Sequence, residues 1–561
     1  MQSTTHFRLH RLFENVRQLS RHRHFQSQRF VEHQHKRKPA VATHRLRLGL
    51  RSFIITGVTG FISYDGLVNE FTYCGAAVRF VRSLKTATLI AIDYMLLRSD
   101  DNEYDSKLKV LHRRSAERLL ETCLINGGLY IKVGQGFAAI NHILPEEYTD
   151  TLAQLQDKCL PTSQADVQKL FRQDFGQLPE EIYTEFDYKP VAAASLAQVF
   201  KAKLPSGEAV AVKVQYNDLQ KRFISDLGTI IFLQDIVEFF FKDYNFGWIL
   251  NDLRKNLVHE LDFVHEGQNA ERCANDMHKF DYVHVPKVFW PYTKTRVLTL
   301  EWMDGLKISD TEGIKEQKLS LRDVDVKLFQ VFAEQIFSSG FVHADPHPGN
   351  IFVRRNAERG NADIILLDHG LYEELPEPVR GPLCEFWEAT VLRDERKMEK
   401  AAQKLGIVDY MKFAEVLFQQ PIRIHGGRVR SKLSQEDIDY MQLVAKQNFD
   451  AIMSTLKEMP RSMLFIVRNL NTVRAISHQH GDIVDRPRLM ARYAQHCLYE
   501  RDGDSPFSYF RWLCRRFYFE YCLWSAAMKL RLLDVYFNLL YLLGRSPSKN
   551  VMRDLMQVPI S

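Results

Sequence analysis

The chain has 561 residues, 45% apolar and 26% charged, the composition of an ordinary globular protein with room for about two to four domains. Its formal charge of +6 is unevenly placed: residues 1–51 hold twelve Lys and Arg against Glu14 and Glu32, and the other 63 basic and 67 acidic residues leave the remainder slightly acidic. The eight cysteines form no Cys-x-x-Cys pair and no zinc-like spacing with His, which argues against a disulfide framework or a zinc site and is compatible with a reducing compartment.

Residues 1–50 are rich in Arg, His, Ser and Gln and poor in acids, with scattered apolar residues in "HFRLHRLFENVRQL". This reads as a mitochondrial targeting segment, since no uninterrupted apolar centre of a secretory signal is present. The alternative is a basic arm for RNA or an acidic surface. No periodic aromatic pattern supports a nucleic-acid module, so no nucleic acid is expected as partner. Residues 51–105 form a membrane-proximal segment. "SFIITGVTGFISY" (52–64) is apolar for thirteen residues before Asp65, whereas a spanning helix needs about 20. "TATLIAIDYMLL" (86–97) is as short and carries Asp93. Short amphipathic helices on the domain or at an interface are the preferred reading, with a span over 52–68 as the alternative.

Residues 106–185 read as a helical extension, with apolar residues at threes and fours in "LHRRSAERLLETCLINGGLYIKVGQGFAAI" and a second helix capped by Thr162 or Ser163. From 186 to 304 the period shortens: "QVFKAKL", a Pro-Ser-Gly turn and "EAVAVKVQ" predict a β-hairpin. Helix follows over about 219–278, then the strand-like runs "HVPKVFW" and "RVLTLEWM". Residues 305–480 are mostly helical, and 481–561 form a helical tail without a readable motif. The fold class is therefore α+β: a bilobal protein-kinase-like fold with a small β-rich N-lobe and a helical C-lobe, between a helical extension and a tail.

The chemistry lies in an ordered set of short phrases. In "FVHADPHPGNIFV", His343, Asp345 and Asn350 have the His-x-Asp-x-x-x-x-Asn spacing of a kinase catalytic loop, where Asp orients the acceptor hydroxyl and Asn holds magnesium. Ala344 stands where kinases usually carry Arg, and His347 where many carry a phosphate-contacting Lys. "ILLDHG" puts Asp368 where the magnesium-binding Asp of Asp-Phe-Gly would stand, and "VAVK" puts Lys213 at a strand end, the place of the phosphate-contacting lysine. "VLTLEWMDG" resembles the strand and hinge whose backbone groups, here at Glu301 and Met303, bond adenine. Each residue has a bland reading, a strand-end lysine or a turn aspartate, but four signals in order over one stretch are hard to obtain by accident.

Two departures narrow the type. Aligning Val199 with the valine of the glycine-rich loop turns its three glycines into Ala192, Ala194 and Ala197, and their methyl groups must alter how the loop meets phosphate. No Ala-Pro-Glu follows Asp368-His369-Gly370, so a peptide-docking segment is not evident.

Together the alanine-rich loop, "IKVGQG", "HELDF", "HADPHPGN" and "LLDHG" resemble the UbiB-like, or aarF-domain-containing, atypical kinase family over about residues 120–375. The resemblance implies that Lys132, Gly134 and Gln135 belong to a lid motif folded over the acceptor side, with Glu260 and Asp262 in a Glu-x-Asp motif and Glu260 pairing with Lys132. Glu266 then fits the helix partner of Lys213; if 258–272 is one helix, Asp262 and Glu266 share a face while Glu260 points elsewhere. Asp345 would be the catalytic base or water-orienting group and Asn350 and Asp368 the Mg²⁺ ligands, with Lys213 and Glu266 the phosphate clamp. Ala192, Ala193, Ala194 and Ser195, with Val199 beyond them, would form the phosphate-covering loop. The expected cofactors are ATP and Mg²⁺, and the expected activity is ATP hydrolysis or phosphoryl transfer in a lipid-linked process at the mitochondrial inner membrane. A membrane lipid or lipid-like molecule is the expected partner, with a protein partner conceivable through the C-terminal helices. A protein serine/threonine kinase and a nucleotide-gated scaffold are the competing readings.

Overall fold

The computed structural model describes residues 63–65, 72–97, 104–138, 144–156, 163–193, 196–217, 219–240, 260–419, 459–500 and 506–543. The targeting segment and nearly all of the 52–68 apolar run lie outside them, as do Ala194 and Ser195. Two units divide at Ala77 and Val78. In the first, buried Asp65 accepts the backbone N–H groups of Tyr73 (3.3 Å) and Cys74 (2.8 Å).

The helical extension comprises α1 (Thr72–Leu96), α2 (Tyr104–Asn126), α3 (Leu129–Ala138) and α4 (Glu146–Leu152). The 86–97 run is the end of α1, and Asp93 inside it is paired with Arg114 (2.9 Å) and Arg118 (2.5 Å) of α2. Among the described residues no helix is long and apolar enough to cross a membrane. Helix α5 (Gln164–Phe175) starts where Ser163 accepts the N–H of Asp166 at 3.3 Å.

The N-lobe sheet orders β1 (Glu185–Phe186), β3 (Ala197–Lys203), β4 (Ala209–Gln215) and β6 (Val297–Glu301), with β2 (Ala192–Ala193) also on β3. The hairpin joining β3 to β4 turns at Gly207, whose φ of +92° a side chain would resist. Alternation sends Val210, Val212 and Val214 to one face, where they bury against Val167, Leu170 and Phe171 of α5. Each such side chain contributes about 1.5–3 kcal/mol on leaving water. Lys213 must then point to the opposite face, beside its register partner Leu298. There α7 (Phe263–Met277) packs through Phe263 and Ala270; α6 (Leu219–Phe240) precedes it. The span 258–272 is not one helix: Glu260 is helical, Leu261 and Asp262 are not, and α7 begins at Phe263. Asp262 is its extended N-cap and accepts the N–H of Val264 at 3.0 Å, so Asp262 and Glu266 do not share a helical face. Likewise "HVPKVFW" (284–290) forms no continuous strand: His284 ends the two-residue β5 (Val283–His284), and Val288 makes an isolated bridge to Leu300 of β6 before a 3-10 segment at Trp290–Tyr292.

The C-lobe holds a four-stranded sheet, β5–β10–β9–β7, with β7 (Leu306–Lys307), β9 (Ile351–Arg355) and β10 (Ala362–Leu366), and a pair, β8 (Phe341–His343) with β11 (Tyr372–Glu374). Helix α8 (Leu321–Ala333) runs into a π-helical turn that stops at Gly340 (φ +68°), where a Cβ would meet the Leu375 carbonyl at 3.0 Å. That stop delivers the chain into β8. The core beneath is built from α9 (Glu377–Leu392), α10 (Glu395–Lys404), α11 (Tyr410–Phe418), α12 (Arg461–Gln479) and α13 (Arg486–Glu500) around Trp387, Phe386 and Phe418. In α12 the buried Met463, Ile466, Val467, Leu470, Val473 and Ile476 follow the threes and fours of one helical face. The long α14 (Pro506–Leu542) joins this core through Phe519 and Leu523 and leaves Phe517, Trp524 and Leu532 exposed. A β-sheet N-lobe before a helical C-lobe makes this a protein-kinase-like fold.

Candidate active site

Three elements meet at Lys213. From the α7 face of β4 its Nζ lies 2.6 Å from Glu266 Oε1 and 3.3 Å from Asp368 Oδ1, in the loop after β10. The loop is held by α7 as well, because Asn269 Nδ2 donates to the His369 carbonyl at 3.0 Å. Burial opposes the Lys213 charge, but Asp368 and Glu266 outweigh it and hold the ammonium above its usual value. Burial would raise the Asp368 carboxyl; Lys213, His343 and Lys132 keep it well below the carboxylate range. Burial pushes Glu266 up to about 7, with Lys213 pulling down and Asp368 adding to the rise.

The loop between β8 and β9 is pinned by its own histidines. His343 Nδ1 accepts the N–H of Asp345 and His347 Nδ1 that of Gly349, each at 3.1 Å. Asn350 Nδ2 donates to Asp368 Oδ2 at 3.1 Å, and the Asn350 carbonyl accepts the N–H of Leu367 at 2.9 Å. Tyr372 stacks on both His343 and His369. Burial drives both imidazoles toward neutrality, with His369 down at about 4.

Lys132 of α3 pairs with Glu260 at 2.9 Å and reaches to 4.0 Å from Asp345 Oδ2. Gln135, expected in the lid, turns away: its Nε2 donates to the Leu155 carbonyl at 2.9 Å. Gly134 lets α3 approach that same segment, since a Cβ there would collide with Leu155 Cδ1. Asp262 caps α7. Of the covering loop, Ala192 and Ala193 form β2 in register with Val199 and Gln198. Glu301 ends β6, its N–H bonded to the Lys287 carbonyl at 2.9 Å, and Met303 lies in the connector before β7.

Asp345 has a second cation that the sequence reading missed. Arg468 Nη2, from α12, lies 3.1 Å from Asp345 Oδ1. Burial would raise the Asp345 carboxyl, yet Arg468 and Lys132 hold it below its ordinary value. Beside Arg468, fully buried Asn469 donates to the His343 carbonyl at 2.6 Å. The one signal in the sequence was a polar pair, Arg468-Asn469, set against the apolar face of a helix.

Among the described residues no group of three or more His, Cys, Asp or Glu could hold a metal by itself. Asn350 meets Asp368 through its amide nitrogen, so holding Mg²⁺ would need the amide to turn Oδ1 beside the Asp368 carboxylate, giving the sparse oxygen set that suits an ion arriving with waters and phosphate oxygens.

Residues 154–402 match the family model described as the ABC1 atypical kinase-like domain. The chain is 40% identical over 421 residues to the "Probable serine/threonine-protein kinase abkD" of Dictyostelium discoideum, covering 74% of this chain and 61% of that relative. It is 34% identical over 467 residues to the "AarF domain-containing protein kinase 1" of Mus musculus, covering 82% of this chain and 89% of the relative. A solved structure, the Rv3197–erythromycin complex from Mycobacterium tuberculosis, aligns with 67% of this chain and 95% of its own at 19% identity and a TM-score of 0.43.

Proposed function

As the chain belongs to the ABC1 (UbiB-like, aarF-domain) atypical kinase family, we propose that it binds Mg-ATP and turns it over at Asp345, by hydrolysis or by phosphoryl transfer to a small or lipid-linked acceptor. The observation that carries this reading is Lys213 bridging Glu266 and Asp368 at 2.6 and 3.3 Å, which joins a strand, a helix and a loop around a cation positioned for phosphate. Lys213 contacts the phosphates and Glu266 orients it. Ala192 to Ser195 cover them, while Glu301 and Met303 offer backbone groups to adenine. Asn350 and Asp368 hold Mg²⁺, which neutralises charge on the phosphates when bound. Asp345, kept ionised by its neighbours, orients the attacking oxygen.

Lys132 supports a small acceptor over a peptide, because its ammonium stands within 4.0 Å of Asp345 where an acceptor side chain would approach. The protein-kinase reading draws on the name of the Dictyostelium relative and needs that lysine to move. The remaining assignments are the mitochondrial targeting of residues 1–50, inner-membrane association and a lipid-linked process, with coenzyme Q biosynthesis known from some relatives by analogy alone. The wording around the motifs, such as "VAAASLAQVFKAKL" and "GQNAERC", resembles the animal aarF-domain-containing kinase five. The relatives compared above carry other names, kinase 1 and abkD, so this finer kinship stays part of the proposal.

The test is Mg²⁺-dependent ATP turnover by the full chain, with and without anionic vesicles, beside Asp368→Asn and a casein acceptor. Phosphate release that vanishes in the mutant, with no label on casein, is the expected result. Labelled casein would replace this reading with a protein kinase, and binding without either product with a scaffold.

A further inference from the structure

We propose that Arg468 is a catalytic residue of this site, its guanidinium binding the phosphoryl group in transit and replacing the lysine that many kinases carry two residues after the catalytic aspartate. The inference rests on the reading that ATP is turned over at Asp345. At that lysine position the chain has His347, whose Nδ1 accepts the N–H of Gly349 at 3.1 Å and so faces its own loop. The positive charge arrives instead from α12, more than a hundred residues later, with Arg468 Nη2 3.1 Å from Asp345 Oδ1.

Distance supplies the first argument. A carboxylate that orients the attacking oxygen must lie within hydrogen-bond reach of it, and a guanidinium in contact with that carboxylate stands about one further hydrogen-bond contact from the same oxygen, on the side of the phosphoryl group it attacks. Arg presents five donors in a planar fork, so it can face the carboxylate with one edge and phosphoryl oxygens with another. The second argument is that stability does not explain the pair. Arg468 and Asp345 are 31% and 30% exposed, and ion pairs that meet water contribute little to folding. The third is that the guanidinium is mounted on a rigid support. Asn469 fixes α12 to the His343 carbonyl at 2.6 Å, and Ser477 and His480 fix the far end to buried Asp325 at 3.0 and 2.6 Å.

In hydrolysis the water oxygen bonds to the γ-phosphorus while the bond from that phosphorus to its bridging oxygen breaks. ADP leaves with the electron pair, and the water proton passes through Asp345 to solvent. Negative charge on the equatorial oxygens is what Arg468 stabilises, the role an arginine finger plays elsewhere.

The experiment compares full-length wild type with Arg468→Ala and Arg468→Lys. It measures kcat, the affinity for Mg-ADP, the affinity for Mg-ADP with aluminium fluoride, rescue by guanidinium ions, and the melting temperature. Arg468→Ala is expected to lose about 10²–10³-fold in kcat, below the full effect of an arginine finger because Asp345 remains. It should keep ADP affinity within about twofold and lose its extra affinity for the aluminium fluoride complex, since the contact is made to the phosphoryl group in transit. Added guanidinium, or Lys at 468, should restore part of the rate. Faster turnover in Arg468→Ala would overturn the proposal by showing that Arg468 restrains Asp345. Equal loss of both nucleotide affinities together with a lower melting temperature in both variants would overturn it in favour of a structural role. If wild type binds nucleotide without turnover, the functional reading fails alone. The aluminium fluoride preference then decides this inference: its loss in Arg468→Ala supports the phosphoryl contact, and its absence from wild type or survival in the variant overturns it. Wild type that binds no nucleotide overturns both.

Discussion

Lys132 Nζ and Asp345 Oδ2 stand 4.0 Å apart, although one residue comes from a helix before the N-lobe sheet and the other from a loop in the C-lobe. The Asp345 carboxylate, the proposed catalytic group, thereby has Lys132 over it where the proposed acceptor would enter, and Glu260 at 2.9 Å keeps the lysine there.

Lys132→Ala should open that side. Autophosphorylation is expected to rise roughly tenfold, equivalent to removing about 1.4 kcal/mol of obstruction from the barrier. Radiolabel incorporated into the purified chain checks this; no rise, at unchanged nucleotide affinity, sinks the lid.

On the proposed Mg-nucleotide binding, Glu266 should make that binding proton-linked. Burial sets its carboxyl at about 7, with the Asp368 charge contributing to the rise. A cation at Asp368 cancels that contribution, so the Glu266 pKa falls and a proton leaves. At pH 7 the release should be up to about half a proton, since a group at its pKa is half protonated. Calorimetry of Mg-ADP binding in buffers of different ionisation enthalpy measures it, and Glu266→Gln should abolish it. Proton uptake by the wild type would contradict the assignment.

Gly134→Ala tests how Lys132 is held. The new methyl would collide with Leu155 Cδ1 and stand 3.3 Å from Cys123 Sγ, both buried. Overpacking of this kind costs about 1–3 kcal/mol. A lowered melting temperature with weakened Lys132 control of autophosphorylation is expected, whereas an unaltered melting curve would show that α3 packs with room to spare.

Asn469→Ala should leave the buried His343 carbonyl without its partner. The loss is about 1–3 kcal/mol for an unsatisfied group, read as a lower urea midpoint. A midpoint equal to wild type would mean that the hydrogen bond to the catalytic loop is replaced by another donor.

The proposed membrane association has a physical counterpart in α14, where Phe517 and Trp524 are 70% and 56% exposed near the basic Arg511, Arg516 and Lys529. Phe517→Glu with Trp524→Glu should weaken sedimentation with anionic vesicles by roughly tenfold or more, given the apolar area withdrawn. Undiminished sedimentation would move the contact away from this helix.

Much of the fold was legible because its signals are local. The Pro-Ser-Gly turn and alternating valines specify the β3–β4 hairpin, and Ser163 before an apolar-periodic run marks the start of α5. Asp262 and Glu266 would share a face only if 258–272 were one helix, and that condition fails because the extended Asp262 accepts the N–H of Val264 with its side chain and starts α7 afresh. The short β5 escaped for a related reason: "HVPKVFW" has strand-forming residues, but its partners are split, with His284 of β5 on β10 and Val288 bridged to Leu300 of β6, so no continuous strand forms.

By itself the sequence determined which residue types stand at which spacing: Asp345 and Asn350 in one loop, Asp368 after a buried strand, and Lys213 alternate to the valines that face α5. These follow from bond lengths and from the two-residue period of a strand, which act over a few residues. Tertiary structure alone decided that Gln135 bonds to Leu155 rather than the site, that Lys132 crosses to Asp345, and that Arg468 arrives from a helix far along the chain. Such meetings depend on how distant apolar faces pack, and a side chain's spacing along the chain carries no record of which partner that packing will bring.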